Sequence, residues 1–350
     1  MIEPNGSREV TAAATDSPVV AEAVRSGFVE SVHRGRVAGL GADGRIVLSA
    51  GAAGSPVFPR SANKPLQAAA MLRCGLDLEG KLLALAAASH SGEDFHLAGV
   101  REILAGAGLG EDALRCPAAL PLDEDAARAV LSAGPGGAAP GAAAPGAVAP
   151  GGDADPRRRL YMNCSGKHAA MLASCVAARW PTASYLDPGH PLQRAIRDTV
   201  QRLAGEPVTA VGVDGCGAPL FAVSLLGVAR AFRALVSAAP GTPERAVADA
   251  MRAYPEWTSG TRRSERDLMA AVPGLLVKGG AEGVLAFALP DGRAGAVKID
   301  DGARRAVTPV AVGVLRALGV TERLDELAAV PVTGGDGVVG EVRATRRSWT

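Results

Sequence analysis

Lysine is scarce in this chain. Only five of its 37 basic residues are lysine (Lys64, Lys81, Lys167, Lys278 and Lys298); the other 32 are arginine. Arginine stays charged in proteins, whereas a buried lysine can lose its proton and serve as a neutral base. A lysine kept against this background marks a position to test for such chemistry. Aromatic residues are only 3% of the sequence, so a core must be assembled from many small aliphatic contacts, for which 350 residues suffice. The five cysteines are odd in number and include no CxxC pair, which argues against a secreted disulfide framework. No charge-free apolar run is long enough to span a membrane, and the N-terminus has no basic start followed by an apolar stretch. A soluble, cytoplasmic protein is expected. The formal net charge of +1 gives no support to a nucleic-acid or acidic-membrane partner.

What is present has a clear order. Residues 1–22 are polar and alanine-rich and read as a loose leader. Alternating apolar residues flank Ala42-Asp43-Gly44, the pattern of a β-hairpin, and a second hairpin is expected to turn at Pro290-Asp291-Gly292. Between them most segments have helical spacing, among them "KPLQAAAMLRCG", "GKHAAMLASCVAARW", "PLQRAIRDTVQRLAG" and "PLFAVSLLGVARAFRALV". Strands at both ends with helices between predict an α+β fold: one antiparallel sheet built from N- and C-terminal strands and packed with helices. Residues 23–345 are expected to form a single domain. It is interrupted at 133–157 by a Pro/Gly/Ala segment with almost nothing to bury, read as a disordered surface loop.

Three of the lysines stand in unusual settings. Lys64 follows Ser61 by three residues, a spacing that shares one face of a helix, and a neutral lysine can activate a serine hydroxyl. Lys278 ends an apolar run in "LLVKGGAEG", where the glycines permit close approach by a ligand or another segment. Enzymes with an SxxK nucleophile place a second serine box and a lysine-glycine box after it. Here "SHSGED" at 89–94 and Lys278-Gly279-Gly280 keep that order but not that spelling. Lys167 lies in "MNCSGKHAAM", three residues after Cys164, and "VGVDGCGAP" adds Asp214 and Cys216. Two cysteines with further polar donors make a possible closed zinc site, for which donor chemistry alone favours His168 over Lys167 as the third ligand. Lys81 and Lys298 sit where solvated charges are expected.

Taken together, "FPRSANKPLQ", "ASHSGED", "NCSGKHAAM", "DGCGAP" and "VKGGAEG" resemble the rhizobial-type L-asparaginase II family, the zinc-containing Ser-Lys group, over about residues 24–320. The resemblance implies a fold similar to serine β-lactamases and glutaminases, hydrolysis of L-asparagine to L-aspartate and ammonia, and a homodimer. It implies two Ser-Lys tandems, Ser61 with Lys64 and Ser89 with Lys278. It implies a zinc site of Cys164, Lys167 and Cys216 with Asp214 participating, which replaces His168 by Lys167. Ser61 is expected to attack with Lys64 as base, and Ser89 is the alternative nucleophile. Arg60 and His90 are the expected substrate contacts, Arg60 because a guanidinium suits a carboxylate. The competing readings are a glutaminase, a penicillin-recognising serine hydrolase, and a zinc-dependent asparagine-binding sensor without turnover.

Overall fold

The computed structural model describes residues 17–133, 155–345 and 349. The strands in chain order are β1 (Val19–Arg25), β2 (Phe28–Leu40), β3 (Ile46–Ala50), β4 (Pro56–Val57), β5 (Ala210–Val213), β6 (Pro219–Ser224), β7 (Leu276–Gly280), β8 (Val284–Ala288), β9 (Ala294–Ile299), β10 (Ala329–Gly334) and β11 (Gly337–Ala344). Eight of them form one antiparallel sheet in the order β10-β11-β1-β2-β9-β8-β7, with β3 also paired to β2; β4, β6 and β5 form a small second sheet. The expected α+β arrangement therefore holds, with N- and C-terminal strands meeting at the β1–β11 and β2–β9 pairings. Both expected hairpins are present, as β2–β3 and β8–β9, and Gly44 and Gly292 supply the left-handed backbone at their turns (φ 82° and 90°).

Two readings of the sequence are corrected. The segment assigned to the leader already enters the sheet at Val19, because Val20, Ala21 and Ala23 are buried core residues. Residues 1–16 lie outside the described residues, as does most of the 133–157 segment. The stretch "PLFAVSLLGVARAFRALV" is not one helix. Its first six residues form β6, fully buried, and Ser224 then caps the helix Leu225–Ser237 by accepting a hydrogen bond from the Gly227 amide.

The helices pack on both faces of the large sheet. They are α1 (Lys64–Arg73), α2 (Gly80–Ala86), α3 (Asp94–Gly106), α4 (Glu124–Ser132), α5 (Ser165–Ala177), α6 (Pro191–Ala204), α7 (Leu225–Ser237), α8 (Pro243–Ala253), α9 (Pro255–Thr258), α10 (Ser264–Ala271) and α11 (Arg304–Ala317). On one face Val37, Val277, Phe287 and Val297 meet Val310, Val314 and Leu315 of α11. The opposite face is built of Ala38, Ala286, Ala288, Ala294 and Ala296, small residues that let α7 and the helical layer come close. Few aromatic residues are needed because alanine-for-alanine contact does the filling.

The glycines after Lys278 have a measurable purpose. A Cβ at Gly280 would stand 2.5 Å from the Pro59 carbonyl oxygen and 3.3 Å from the Ala62 amide, so the 3-10 turn Arg60–Asn63 rests directly on β7. A Cβ at Gly279, on the other face, would stand 2.3 Å from Glu265 Oε1. Gly280→Ala is expected to destabilise the protein by about 1–3 kcal/mol through overpacking. Urea unfolding of the purified variant checks this, and an unchanged midpoint would contradict the contact.

Candidate active site

Ser89 is the meeting point of two buried lysines. It lies in the segment after α2, where its amide donates to the Thr258 carbonyl (3.1 Å) and the next amide, of His90, donates to the Asn163 carbonyl (3.1 Å). These two bonds fix the segment between α9 and the approach to α5. Lys64, at the first position of α1, reaches Ser89 Oγ with its Nζ at 3.0 Å and also donates to the Ala88 carbonyl at 2.6 Å. Lys278, in the middle of β7, approaches from the sheet with Nζ 2.9 Å from the same hydroxyl and 2.7 Å from the Gly279 carbonyl. Lys64 and Lys278 are 1% and 2% exposed. Burial pushes the Lys278 amine down to about 7, and the nearby Lys64 pushes in the same direction.

Ser61 stands on the 3-10 turn one step before α1. It is half-buried, and its hydroxyl makes no hydrogen bond within the described residues. The Lys64 amine thus turns to Ser89, not to Ser61. Arg60, immediately before it, holds a left-handed backbone (φ 53°), which is strained for a side-chain-bearing residue. That conformation is secured by its guanidinium, whose Nε donates to Asp214 Oδ1 at 2.7 Å. The expected carboxylate-binding arginine therefore already has a carboxylate from the protein, with Glu282 3.8 Å from a terminal nitrogen. His90 is completely buried. Its Nε2 is 2.8 Å from Ser165 Oγ, which itself donates to the Leu160 carbonyl, so Nε2 carries the proton, and Nδ1 has no hydrogen-bond partner among the described residues. Burial, then His96 and Lys64, drive its pKa well below the ordinary histidine value and keep it neutral.

A second buried cluster lies beside this one. Cys164 caps the start of α5, Lys167 follows one turn later, and Cys216 comes from the turn between β5 and β6. Lys167 Nζ is 3.0 Å from Cys216 Sγ, and Cys216 Sγ is 3.6 Å from Asp214 Oδ2. Cys164 Sγ also donates to Asn163 Oδ1 at 3.3 Å. A hydrogen bond from Cys216, with Lys64 and Lys167 nearby, drives Cys164 well below the ordinary thiol value; the same bond and burial raise Cys216. Burial lowers the Lys167 amine, but the charge on the sulfurs outweighs it and holds the amine protonated. His168 also adjoins Cys216, while its Nδ1 is 2.7 Å from the Tyr185 hydroxyl. Among the described residues, no three His, Cys, Asp or Glu side chains converge to hold a metal ion. Cys164, Cys216 and Asp214 are therefore not gathered into a three-ligand site as they stand, and the Lys167 amine is the further donor beside them. As a donor set, two sulfurs, an amine and a carboxylate suit a soft divalent ion, whose binding would release the protons now held there.

Two features of this site escape sequence reasoning. The Arg60–Asp214 pair joins the Ser61 turn to the cysteine cluster across 154 residues, and no local pattern announces it. Glu265, on α10, is a buried carboxylate behind Lys278; burial raises its pKa, but Arg263 and Lys278 outweigh this and hold it below the ordinary carboxylate range. Its only sequence trace is the glycine at 279 that makes room for it.

Comparison with known proteins places these residues in context. The model of the family described as L-asparaginase II matches residues 21–140 and 147–344, and the gap between the two matched stretches falls within the Pro/Gly/Ala segment. A search of curated proteins gave no significant match. Among solved structures, one described as Mglu in its native form is 16% identical, with 93% of this chain and 75% of that chain covered and a TM-score of 0.42. EstCE1, described as a hydrolase with promiscuous acyltransferase activity, is 13% identical, with 85% and 92% covered and a TM-score of 0.39. No helix among the described residues is long and apolar enough to cross a membrane.

Proposed function

The chain belongs to the L-asparaginase II family, which makes it an amidohydrolase, and on that footing we propose that it hydrolyses L-asparagine to L-aspartate and ammonia through a serine acyl-enzyme, as a member of the zinc-containing Ser-Lys group. The observation that carries this reading is the unbroken line Lys64 Nζ–Ser89 Oγ–Lys278 Nζ, with steps of 3.0 and 2.9 Å between buried side chains. Such a line can take a proton from a nucleophile and return it to a leaving group.

In this mechanism Ser61 is the nucleophile, because it is the reachable hydroxyl and stands one turn before Lys64. Substrate binding draws Ser61 Oγ onto Lys64, since catalytic hydrogen bonds often close only when substrate is present. As Ser61 attacks the side-chain amide, its proton passes to Lys64 and one proton moves through Ser89 to Lys278. Lys278, with a pKa of about 7, accepts it at neutral pH without holding it too tightly. The C–N bond of the tetrahedral intermediate then breaks, and Lys278 returns the proton through Ser89 to the departing ammonia. Water then attacks the acyl carbon and gives a proton to Lys64; the C–O bond to Ser61 breaks, Lys64 returns that proton to Ser61 Oγ, and aspartate is freed. Arginine at either lysine position would stay charged and could not run the line.

A second reading has its own observation. Both lysines hydrogen-bond Ser89 and neither bonds Ser61, so Ser89 is the better activated hydroxyl. Zinc would be held by Cys164, Lys167 and Cys216 with Asp214 participating. With its ligand set filled by protein it would supply rigidity and charge for positioning substrate, not an activated water. Arg60, tied to Asp214, would carry that rigidity to the Ser61 turn. Homodimer formation belongs to the same proposal.

The purified protein should release ammonia from L-asparagine, and release from L-glutamine alone would reassign it as a glutaminase. Ser61→Ala should lower turnover by roughly three orders of magnitude or more while the fold persists. Mass spectrometry of a rapidly quenched reaction should find the aspartyl adduct on the peptide carrying Ser61, and an adduct on the Ser89 peptide would transfer the nucleophile's role. Metal analysis should find zinc in the wild-type protein and its loss in Cys216→Ala; stoichiometric zinc in that variant would contradict the ligand set.

A further inference from the structure

A second cavity lies one step along the sheet from Lys278. In the pairing of β7, β8, β9 and β2, the residues Lys278, Ala286, Ala296 and Ala38 stand side by side in one row. The neighbouring row on the same face is Gly280, Val284, Lys298 and Arg36. A cavity of about 530 Å³ opens there, lined by Arg36 and Lys298 on the sheet and by Val57, Phe58 and Leu220 on the small second sheet and its approach. Ser61, Ser89 and Lys278 do not line it; Arg60 does, from its edge.

The buried donors of this cavity are not all satisfied among the described residues. Arg36 and Lys298 are directly opposed across β2 and β9, and like charges in that relation repel. Arg36 is 4% exposed, and among the described residues its Nε and one terminal nitrogen are buried without a hydrogen-bond partner. Asp300 is the nearest carboxylate, 3.6 Å from Arg36 Nε, and its own Oδ2 is buried without a partner. Lys298, expected from the sequence to be a solvated charge, is half-buried and, among the described residues, donates to the Ile299 carbonyl. Arg36 and Lys298 thus face a shared cavity that Arg60 and Glu282 also line, with Asp300 beside Arg36 but beyond hydrogen-bond distance of its Nε. A buried guanidinium with unused donors is costly unless something accepts from it.

We propose that this cavity is a binding site for a small organic monocarboxylate with an apolar body. The carboxylate would accept from Arg36 and Lys298, for which a guanidinium fork is well shaped. The apolar body would lie on Val57, Phe58 and Leu220, matching the usual pairing of apolar walls with a few convergent polar groups. Glu282 at the rim disfavours a second negative charge on the ligand. Because Arg60 borders the cavity and holds Asp214, an occupant would be felt at the turn that carries Ser61.

The test is calorimetric titration of the full chain with phenylacetate, with its neutral amide phenylacetamide and with inorganic sulfate. None of these arms depends on asparagine hydrolysis, so failure here and failure of the proposed activity are separable. Phenylacetate should bind saturably and the other two at least about tenfold more weakly, since each lacks one half of the recognition. Lys298→Met should weaken phenylacetate by at least about tenfold, and Ala210→Phe, which fills the cavity from β5, should abolish binding. Both variants should keep the melting temperature of the unliganded protein within a few degrees, which separates lost binding from lost fold. Saturation by sulfate as tight as by phenylacetate, no heat with phenylacetate up to about 10 mM, or unchanged binding in both variants would overturn the proposal.

Discussion

Two ammonium-bearing side chains cannot share one dry hydroxyl while both stay fully charged, and the rest of the site follows from that constraint. Burial and mutual repulsion bring Lys278 down to about 7, inside the range where a proton can be both taken and given back. The fold holds the pair in place from two sides. Lys64 comes from the first turn of α1 and Lys278 from β7, while the Ser89 segment between them is tied by its own amides to Thr258 and Asn163. None of the three groups can relax away without breaking a backbone contact.

The same constraint links the lysine pair to the cysteine cluster. Lys64 also lowers Cys164, and Asp214 is shared between Arg60 and the neighbourhood of Cys216. The Ser61 turn, the Lys64–Ser89–Lys278 contacts and the two sulfurs are therefore electrostatically linked. A strained Arg60 at its junction fits a position that is over-determined by its surroundings.

Much of this was legible in the sequence because composition carried information. In a chain that uses arginine for charge, Lys64, Lys167 and Lys278 stand out, and all three are buried. Turn residues located the β2–β3 and β8–β9 hairpins, and the glycines after Lys278 signalled close approach. What was not legible is long-range. The spacing of Ser61 and Lys64 suggested a direct pair, but a buried amine goes to the acceptors that surround it, here Ala88 and Ser89, 24 and 25 residues on. The β6–α7 break was hidden because "PLFAVS" is apolar at nearly every position, so periodicity could not separate a buried strand from a helix. The hairpin β10–β11 reads poorly because Pro331 interrupts it, which is tolerated only because β10 is an edge strand. Lys298 looked solvated because no local pattern reports that Arg36 lies opposite.

The central claim is that hydrolysis depends on a proton moving along the lysine–serine line to a neutral Lys278. The pH profile of kcat/KM for L-asparagine tests it most directly. Lys278 accepts a proton only when neutral, so the rate should rise with pH and level off above an inflection near its pKa of about 7. A profile that stays flat across about pH 6 to 8, or falls through that range, would contradict the role assigned to Lys278.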